Sequence, residues 1–398
     1  MSRGNPSPVI IVFTLWLLIF ASSSQIMIIS PILPRIGEEL EIAESFLGTL
    51  VSAYTLMVGI FAIIAGPISD KIGRRRILLL GTGIMTVSLL LHHFVIGYYS
   101  FLGVRICAGM AGGILSGAAV AYIGDFFPYN RRGWATGWVM SGMAAGQIAG
   151  IPIGIMLAGS YGFRSPFYFF SAAMGITCIL IWLQIPQPNV TRTEGRLTLG
   201  RAGTHYKTLL KRREIASAGF AYFLMFMGIS LFVIYLPYWL EQTIGATPKD
   251  IAIMFVVGGM ANVLIGPQAG KLSDKIGRKR IVILGNLGLA LAMVLTTFVV
   301  SNVLIAYGAF FVIMALAAMR ISPFSALLTG LVKDEWRGSL MSLTVALGQV
   351  GFAMGAAFAG LTYTSLGYAS ATIFGAISIV AMAIVVGLLI PEPKLQNN

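Results

Sequence analysis

Gly66-Pro67-Ile68-Ser69-Asp70-Lys71-Ile72-Gly73-Arg74-Arg75 and Gly270-Lys271-Leu272-Ser273-Asp274-Lys275-Ile276-Gly277-Arg278-Lys279 are nearly the same phrase, 204 residues apart (270 − 66). Each stands between two long apolar runs. A charged phrase repeated between apolar segments points to a duplicated bundle whose halves can rock against each other. The register extends into the apolar runs. Arg132-Gly133 returns as Arg337-Gly338, Gly146-Gln147 as Gly348-Gln349, and Tyr161-Gly162-Phe163 as Leu366-Gly367-Tyr368. A chance likeness between two loops would not keep that spacing.

Hydrophobic residues make up 57% of the chain and charged residues 10%. A soluble domain carries about 25% charged residues. Twelve apolar runs are long enough to cross a bilayer, which takes ~20 helical residues: roughly 9–31, 46–67, 77–96, 100–122, 134–158, 165–185, 215–239, 250–269, 281–299, 303–326, 339–362 and 368–390. Each is expected to be a helix, because lipid offers the backbone no hydrogen-bond partner. The 47 glycines suit close helix contacts in membranes. The expected fold is an all-α membrane protein of twelve transmembrane helices in two pseudo-symmetric six-helix bundles, residues 1–185 and 215–398, joined by a linker at 186–214.

The net charge is +13. Its distribution fits a membrane topology rather than nucleic acid. With an even number of crossings and both termini cytoplasmic, Arg35, Arg164 and Lys249 fall outside, and Arg105 and Arg320 within spans. Every other Lys or Arg then lies on the cytoplasmic side, as the positive-inside rule requires. Arg3 followed by an apolar run and Ala21-Ser22-Ser23 has the outline of a signal peptide. The apolar character continues to Leu33, so the segment is read as the first span. Cys107 and Cys178 lie in spans and have no metal-ligand spacing. Asn189-Val190-Thr191 is a glycosylation sequon in a loop expected to be cytoplasmic, hence idle. The basic linker suits the anionic inner leaflet, either as a short amphipathic helix near 206–213 or as a solvated loop.

Twelve spans in two sixes, a basic central loop and Gly-x-x-x-Asp-Lys-x-Gly-Arg-Arg between spans 2 and 3 closely resemble the major facilitator superfamily. Gly150-Ile151-Pro152-Ile153-Gly154 is similar to its drug-exporter and arabinose efflux permease branch. The resemblance implies alternating access, with Asp70 touching a helix of the other half in the outward-facing state and releasing it inward. Asp274 would act likewise. On the residues alone, Gly66, Gly73 and Gly277 allow tight turns. Asp70 suits a helix N-terminus, and Arg74, Arg75 and Arg278 suit carboxylates or phosphates. The rival reading is that the cations only set topology.

Arg105 lies about 7–8 Å inside span 4, above Gly109, Gly112 and Ser116 at helical spacing. It resembles the family's Arg-x-x-x-Gly motif, associated with proton exchange or substrate contact, although Ala108 stands where Gln is frequent. Arg320 lies roughly 9 Å inside span 10, with Pro323 placed to free carbonyls near it. Ionisable groups in spans favour function, with snorkelling to the interface as the alternative. No Asp or Glu falls mid-span. His92 and His93 end span 3 and are poor candidates for a central relay. Asp125, Glu38 and Glu41 at the rims are the nearest substitutes for a proton carrier. Two buried arginines without a buried acid favour an anionic or zwitterionic solute. Gln25, Tyr222 and Asn262 are further substrate or coupling candidates, with core packing the simpler reading of Tyr222. Gly146, Gly150, Pro152 and Gly154 in span 5 suit close packing and a bend. Gln147 and Gln349 could bridge helices within or between halves.

The expected protein is a multi-pass secondary transporter in the bacterial inner membrane, working as a monomer on a small-molecule solute among membrane lipids. Efflux, with proton antiport as its coupling, is the leading expectation. A uniporter or exchanger of organic anions using Arg105 and Arg320, and a non-transporting receptor or channel, are the alternatives. No phosphate loop, nucleophile constellation or metal cluster occurs in the sequence, so an enzyme, a cofactor or a metal is not expected. In a background lacking Cys107 and Cys178, single cysteines at positions 70 and 274 should react with an impermeant maleimide from the same face. Labelling from opposite faces contradicts the twofold topology.

Overall fold

The computed structural model describes residues 7–188, 206–332 and 334–392. Among them twelve helices are long and apolar enough to cross a membrane. No strand occurs among the described residues. The first six spans are built from α1 (Pro8–Met27), α2 (Ile29–Glu39), α3 (Glu44–Ile72), α4 (Arg74–Leu90), α5 (Tyr98–Leu115), α6 (Ala118–Phe126), α7 (Tyr129–Ala145), α8 (Ile151–Tyr161) and α9 (Ser165–Gln184). The last six use α10 (Arg213–Val233), α11 (Leu236–Ile244), α12 (Pro248–Ile276), α13 (Arg278–Val299), α14 (Val303–Thr329), α15 (Asp334–Leu366) and α16 (Tyr368–Leu389).

The helices divide into two compact units, Met1–Ile42 with Ala53–Leu199, and Ala43–Ser52 with Gly200–Asn398. Four helix pairings recur in the two units. In the first, α1 packs on α7 and α9, and α4 on α5 and α9. In the second, α10 packs on α15 and α16, and α13 on α14 and α16. The first turns of α3 belong to the second unit, where the Tyr235 hydroxyl donates to the Glu44 carbonyl (2.6 Å) and the Gly48 amide donates to the Tyr235 oxygen (3.0 Å).

Helix surfaces follow the solvent expected from the sequence. On α13 the buried face runs through Val282, Gly285, Asn286, Leu289 and Met293. The opposite face exposes Leu284, Leu287, Leu291, Leu295 and Phe298 at spacings of three and four. A continuous exposed apolar stripe of that length suits lipid rather than water.

Several spans are interrupted. Gly117 takes a left-handed conformation (φ 74°) between α5 and α6. Span 1 breaks at Ile28, ahead of Pro31 and Pro34, and span 7 breaks at Ile234–Tyr235, ahead of Pro237. Residues Gly146–Gly150 form a π turn between α7 and α8. Pro152 has no amide to give the Ile148 carbonyl, and a wider turn absorbs the lost bond. Small residues set how near these helices come. A side chain at Gly142 would meet the Trp16 carbonyl at 2.6 Å, and one at Gly154 the Ile28 side chain at 2.6 Å.

The two loop phrases are closed in matching ways. Gly73 (φ 101°) and Gly277 (φ 104°) precede α4 and α13 and have no side chain to cap them. The caps come from the far end of each unit. The Arg75 amide donates to Gln187 Oε1 (3.1 Å), and the Lys279 amide donates to Glu392 Oε1 (3.3 Å). A Cβ on Gly73 would lie 2.6 Å from Gln187 Oε1. Ile185-Pro186-Gln187-Pro188 and Ile390-Pro391-Glu392-Pro393 are themselves a repeat, 205 residues apart (390 − 185). Gly73→Ala, which meets both the φ penalty and Gln187, should lose ~1–3 kcal/mol of stability. Glu392→Ala should lose ~0.5–2 kcal/mol, whereas Glu392→Gln keeps the acceptor and stays near wild type. Thermal unfolding in detergent checks both, and an unchanged midpoint for Gly73→Ala contradicts the capping.

Candidate functional site

Arg105 on α5 is wholly buried inside the first unit. Its Nη1 donates to Gln25 Oε1 at 3.4 Å, and Gln25 Nε2 donates to the Tyr54 hydroxyl at 2.9 Å. The guanidinium lies over the Tyr54 ring, 4.3 Å from its centroid. One nitrogen is therefore bonded, one face is covered by an aromatic quadrupole, and Nε and Nη2 have no partner. No carboxylate pairs with Arg105 among the described residues. The glycines below it have a plain packing role. A side chain at Gly109 or Gly112 would strike Tyr54, so these positions let α3 come close enough to lay that ring under the guanidinium.

His92 closes this corner. It lies in a 3₁₀ turn, Leu91–Phe94, after α4 and is wholly buried. Its ring stacks on Phe167 (3.7 Å, 13°) and meets the edge of Phe101 (5.3 Å, 83°). Nδ1 lies 3.0 Å from the Ser88 carbonyl, which can only accept, so Nδ1 carries the hydrogen and Nε2 keeps its lone pair. Nε2 has no partner, and the ring is within electrostatic range of Arg105.

In the second unit Arg320 is 2% exposed. Its Nη1 donates to Asn286 Oδ1 (3.0 Å) and lies 3.8 Å from Met382 Sδ, while its Nε and Asn286 Nδ2 have no partner. Its bonded neighbours thus stand on α13 and α16, and the carbonyls near Pro323 are not among them. Tyr222 stacks with Phe226 (5.4 Å) and Phe324 (5.8 Å) in an apolar core. Asn262 is half-buried on α12.

The loop residues tie helices together at the ends of the units. Arg74 pairs with Asp125 (2.6 Å) and donates to Ser69 Oγ (2.9 Å). Arg75 Nη2 donates to the Trp182 carbonyl (2.7 Å) at the end of α9. In the second copy Arg278 faces Asp274 (3.4 Å) and donates to the Ala326 carbonyl (3.1 Å). Lys279 Nζ donates to the Ile390 carbonyl (2.9 Å). Cations at helix C-termini satisfy orphan carbonyls and oppose the dipole. The Asp70 side chain and the surroundings of Gly66 are not described, and the linker from 189 to 205 lies outside the described residues.

Residues 15–218 and 218–398 each match the profile of the Major Facilitator Superfamily. The chain belongs to that superfamily. It is similar to the MFS-type transporter YceJ of Bacillus subtilis (strain 168), with 28% identity over 88% of this chain and 89% of that protein. It is 26% identical to multidrug resistance protein MdtG of Proteus mirabilis (strain HI4320), over 92% of each. Among solved structures it matches a D-xylose-proton symporter at a TM-score of 0.76, with 20% identity over 97% of this chain and 98% of that one. A human organic anion transporter, MFSD10, matches at 0.72 with 17% identity, over 96% and 100%. The protein is a twelve-helix, multi-pass membrane transporter for small-molecule solutes, not an enzyme.

The structure brings Gln25 and Arg105 together and leaves Arg320, Tyr222 and Asn262 in the other unit. Sequence reasoning passed over Tyr54, although a phenol in an apolar span facing Gly109 and Gly112 was a usable signal. It also set His92 aside as a span terminus. Asn286→Ala leaves the Arg320 guanidinium with only a sulfur acceptor and should destabilise the protein by about 3 kcal/mol or more. The double variant Arg320→Met/Asn286→Leu removes both polar groups and should recover most of that loss. Thermal unfolding of the purified variants decides, and a single variant as stable as wild type contradicts the pairing.

Proposed function

We propose that this transporter exports small organic solutes by alternating access, its two bundles (1–185 and 215–398) moving about the linker at 186–214. The observation that carries the export reading is the full-length similarity to multidrug resistance protein MdtG. Similarity to multidrug resistance protein 2 of Bacillus subtilis (strain 168), 28% over 66% of this chain and 67% of that protein, supports it. The interrupted spans 1, 4 and 7 fit the reading too, since discontinuous helices in transporters gather substrate and ion sites where the backbone leaves the regular helix. Asp70 and Asp274, with Arg74, Arg75 and Arg278, are the proposed switch at the cytoplasmic face of the bacterial inner membrane. The exporter works as a monomer with proton antiport as its coupling. Gly146, Gly150, Pro152 and Gly154 are the proposed hinge, where the π turn lies.

A second reading is favoured by one specific observation. The buried edge of Arg105 has two free donors and no acid beside it, which suits exchange of organic anions. Flux into proteoliposomes separates the readings. Saturable transport of ethidium that depends on a pH gradient supports export by antiport. Gradient-insensitive exchange of organic anions, abolished by Arg105→Gln, supports the second. No saturable flux across a panel of cations, anions and sugars contradicts both and favours a receptor or channel.

A further inference from the structure

The cluster around Arg320 on α14 lacks acceptors and nothing else. Its Nη1 donates to Asn286 Oδ1 on α13 (3.0 Å), and Met382 Sδ on α16 lies 3.8 Å from the same nitrogen. Nε is sealed in the bundle with no partner. Nη2 is also unbonded but is not sealed, and the residue keeps 2% of its surface open. These two nitrogens share one edge of the planar guanidinium, the edge that offers two parallel N–H groups. Asn286 adds to the shortage. Arginine can only donate, so the carboxamide must turn its oxygen to Nη1, and its Nδ2 is left as another buried donor without a partner. Asn286 is wholly enclosed, and a Cβ on the adjacent Gly285 would lie 3.4 Å from the Leu316 carbonyl, so α13 is held close to α14 at this level. No carboxylate pairs with Arg320 among the described residues. In the repeat register the matching positions of the first unit are Ser116 (320 − 204) and Thr82 (286 − 204). Their hydroxyls donate to the Gly113 carbonyl (2.8 Å) and the Leu78 carbonyl (2.7 Å) of their own helices. The duplicated packing therefore works at this place with two neutral, self-satisfied side chains.

We propose that the Nε/Nη2 edge of Arg320 holds a chloride-sized monovalent anion as a resident part of the second bundle. A buried charge with unmet donors is strongly unfavourable until something answers it. A water molecule at the edge accepts bonds but brings two hydrogens that need acceptors of their own. An anion accepts without donating and cancels the charge. The small opening at Nη2 suits an ion little larger than water and not an organic solute. Asn286 holds the guanidinium from the other side, so the edge is already fixed when the ion arrives and little further freedom is lost. The ion is not the cargo, and the inference stands apart from both transport readings above. Because it binds only the folded bundle, its concentration sets the stability of the second unit by mass action.

The test uses the purified full-length transporter in detergent, with chloride exchanged for gluconate at constant ionic strength. Chloride should raise the unfolding temperature, bromide should act as chloride does, and gluconate should have no effect. Above half-saturation, each tenfold rise in chloride should raise the folding constant nearly tenfold. Asn286→Asp puts a tethered carboxylate beside the guanidinium. It should be more stable than wild type in gluconate and should lose the chloride response. Arg320→Met/Asn286→Leu removes the donors and should be equally stable in either salt. If both variants fail to fold, crystals of the wild type grown in bromide decide. A bromine anomalous peak should then lie in hydrogen-bond contact with Nε and Nη2 of Arg320. Equal wild-type stability in chloride and gluconate, a chloride response that survives in either variant, or an edge with no bromine peak overturns the inference.

Discussion

A guanidinium has been taken wholly out of water in the first bundle and given a single hydrogen bond for its five N–H donors. Most of what is distinctive in this bundle answers to that constraint. Tyr54 must lie flat beneath the charge, so α3 must come close to α5, and therefore α5 carries Gly109 and Gly112 where side chains would collide. Gln25 must reach across from α1 while also holding the Tyr54 hydroxyl. The residues meeting here come from spans 1, 2 and 4, and span 1 breaks at Ile28, just after Gln25. A packed bundle would have been easier to build with leucine at position 105. The second bundle has Arg320 bonded through Asn286 on a different helix pair, so the charges of the two units are not symmetric copies of one another.

Around that centre the architecture is a duplicated scaffold. Four of the helix pairs in the first unit recur in the second. The loop phrases recur with their caps, Gln187 for one and Glu392 for the other. Repetition at the ends and divergence at the centre fit a transporter whose mechanics are shared and whose solute chemistry is its own. The loop cations, which topology alone could explain, also bind helix ends together through Asp125, Trp182, Ala326 and Ile390.

Much of this was legible beforehand because membranes constrain sequence severely. A span must be apolar for about 20 residues, so twelve runs announced twelve helices, and Gly66–Arg75 with its copy announced the duplication. Arg105 and Gln25 stood out because polar groups in such runs are costly. Their meeting did not, since it depends on how α1, α3 and α5 pack, and Tyr54 looks like any core aromatic until its ring is placed. The breaks at Ile28 and Gly117 were hidden for a similar reason. Pro31, Pro34 and Gly117 are tolerated in membrane helices, and only packing shows whether the chain bends or stops there. The caps at Gln187 and Glu392 were missed through attention to charge alone, although Pro-Gln-Pro and Pro-Glu-Pro were in plain view.

The most direct test of the central claim is to locate a bound anion itself. Crystals of the transporter soaked in 4-bromobenzoate should give a bromine anomalous peak in the first bundle, with the carboxylate on the free edge of Arg105 and the peak absent from crystals of Arg105→Gln. Bromine density elsewhere, or the same peak in the variant, would mean that the unpaired edge of this arginine is hydrated structure and not a binding site.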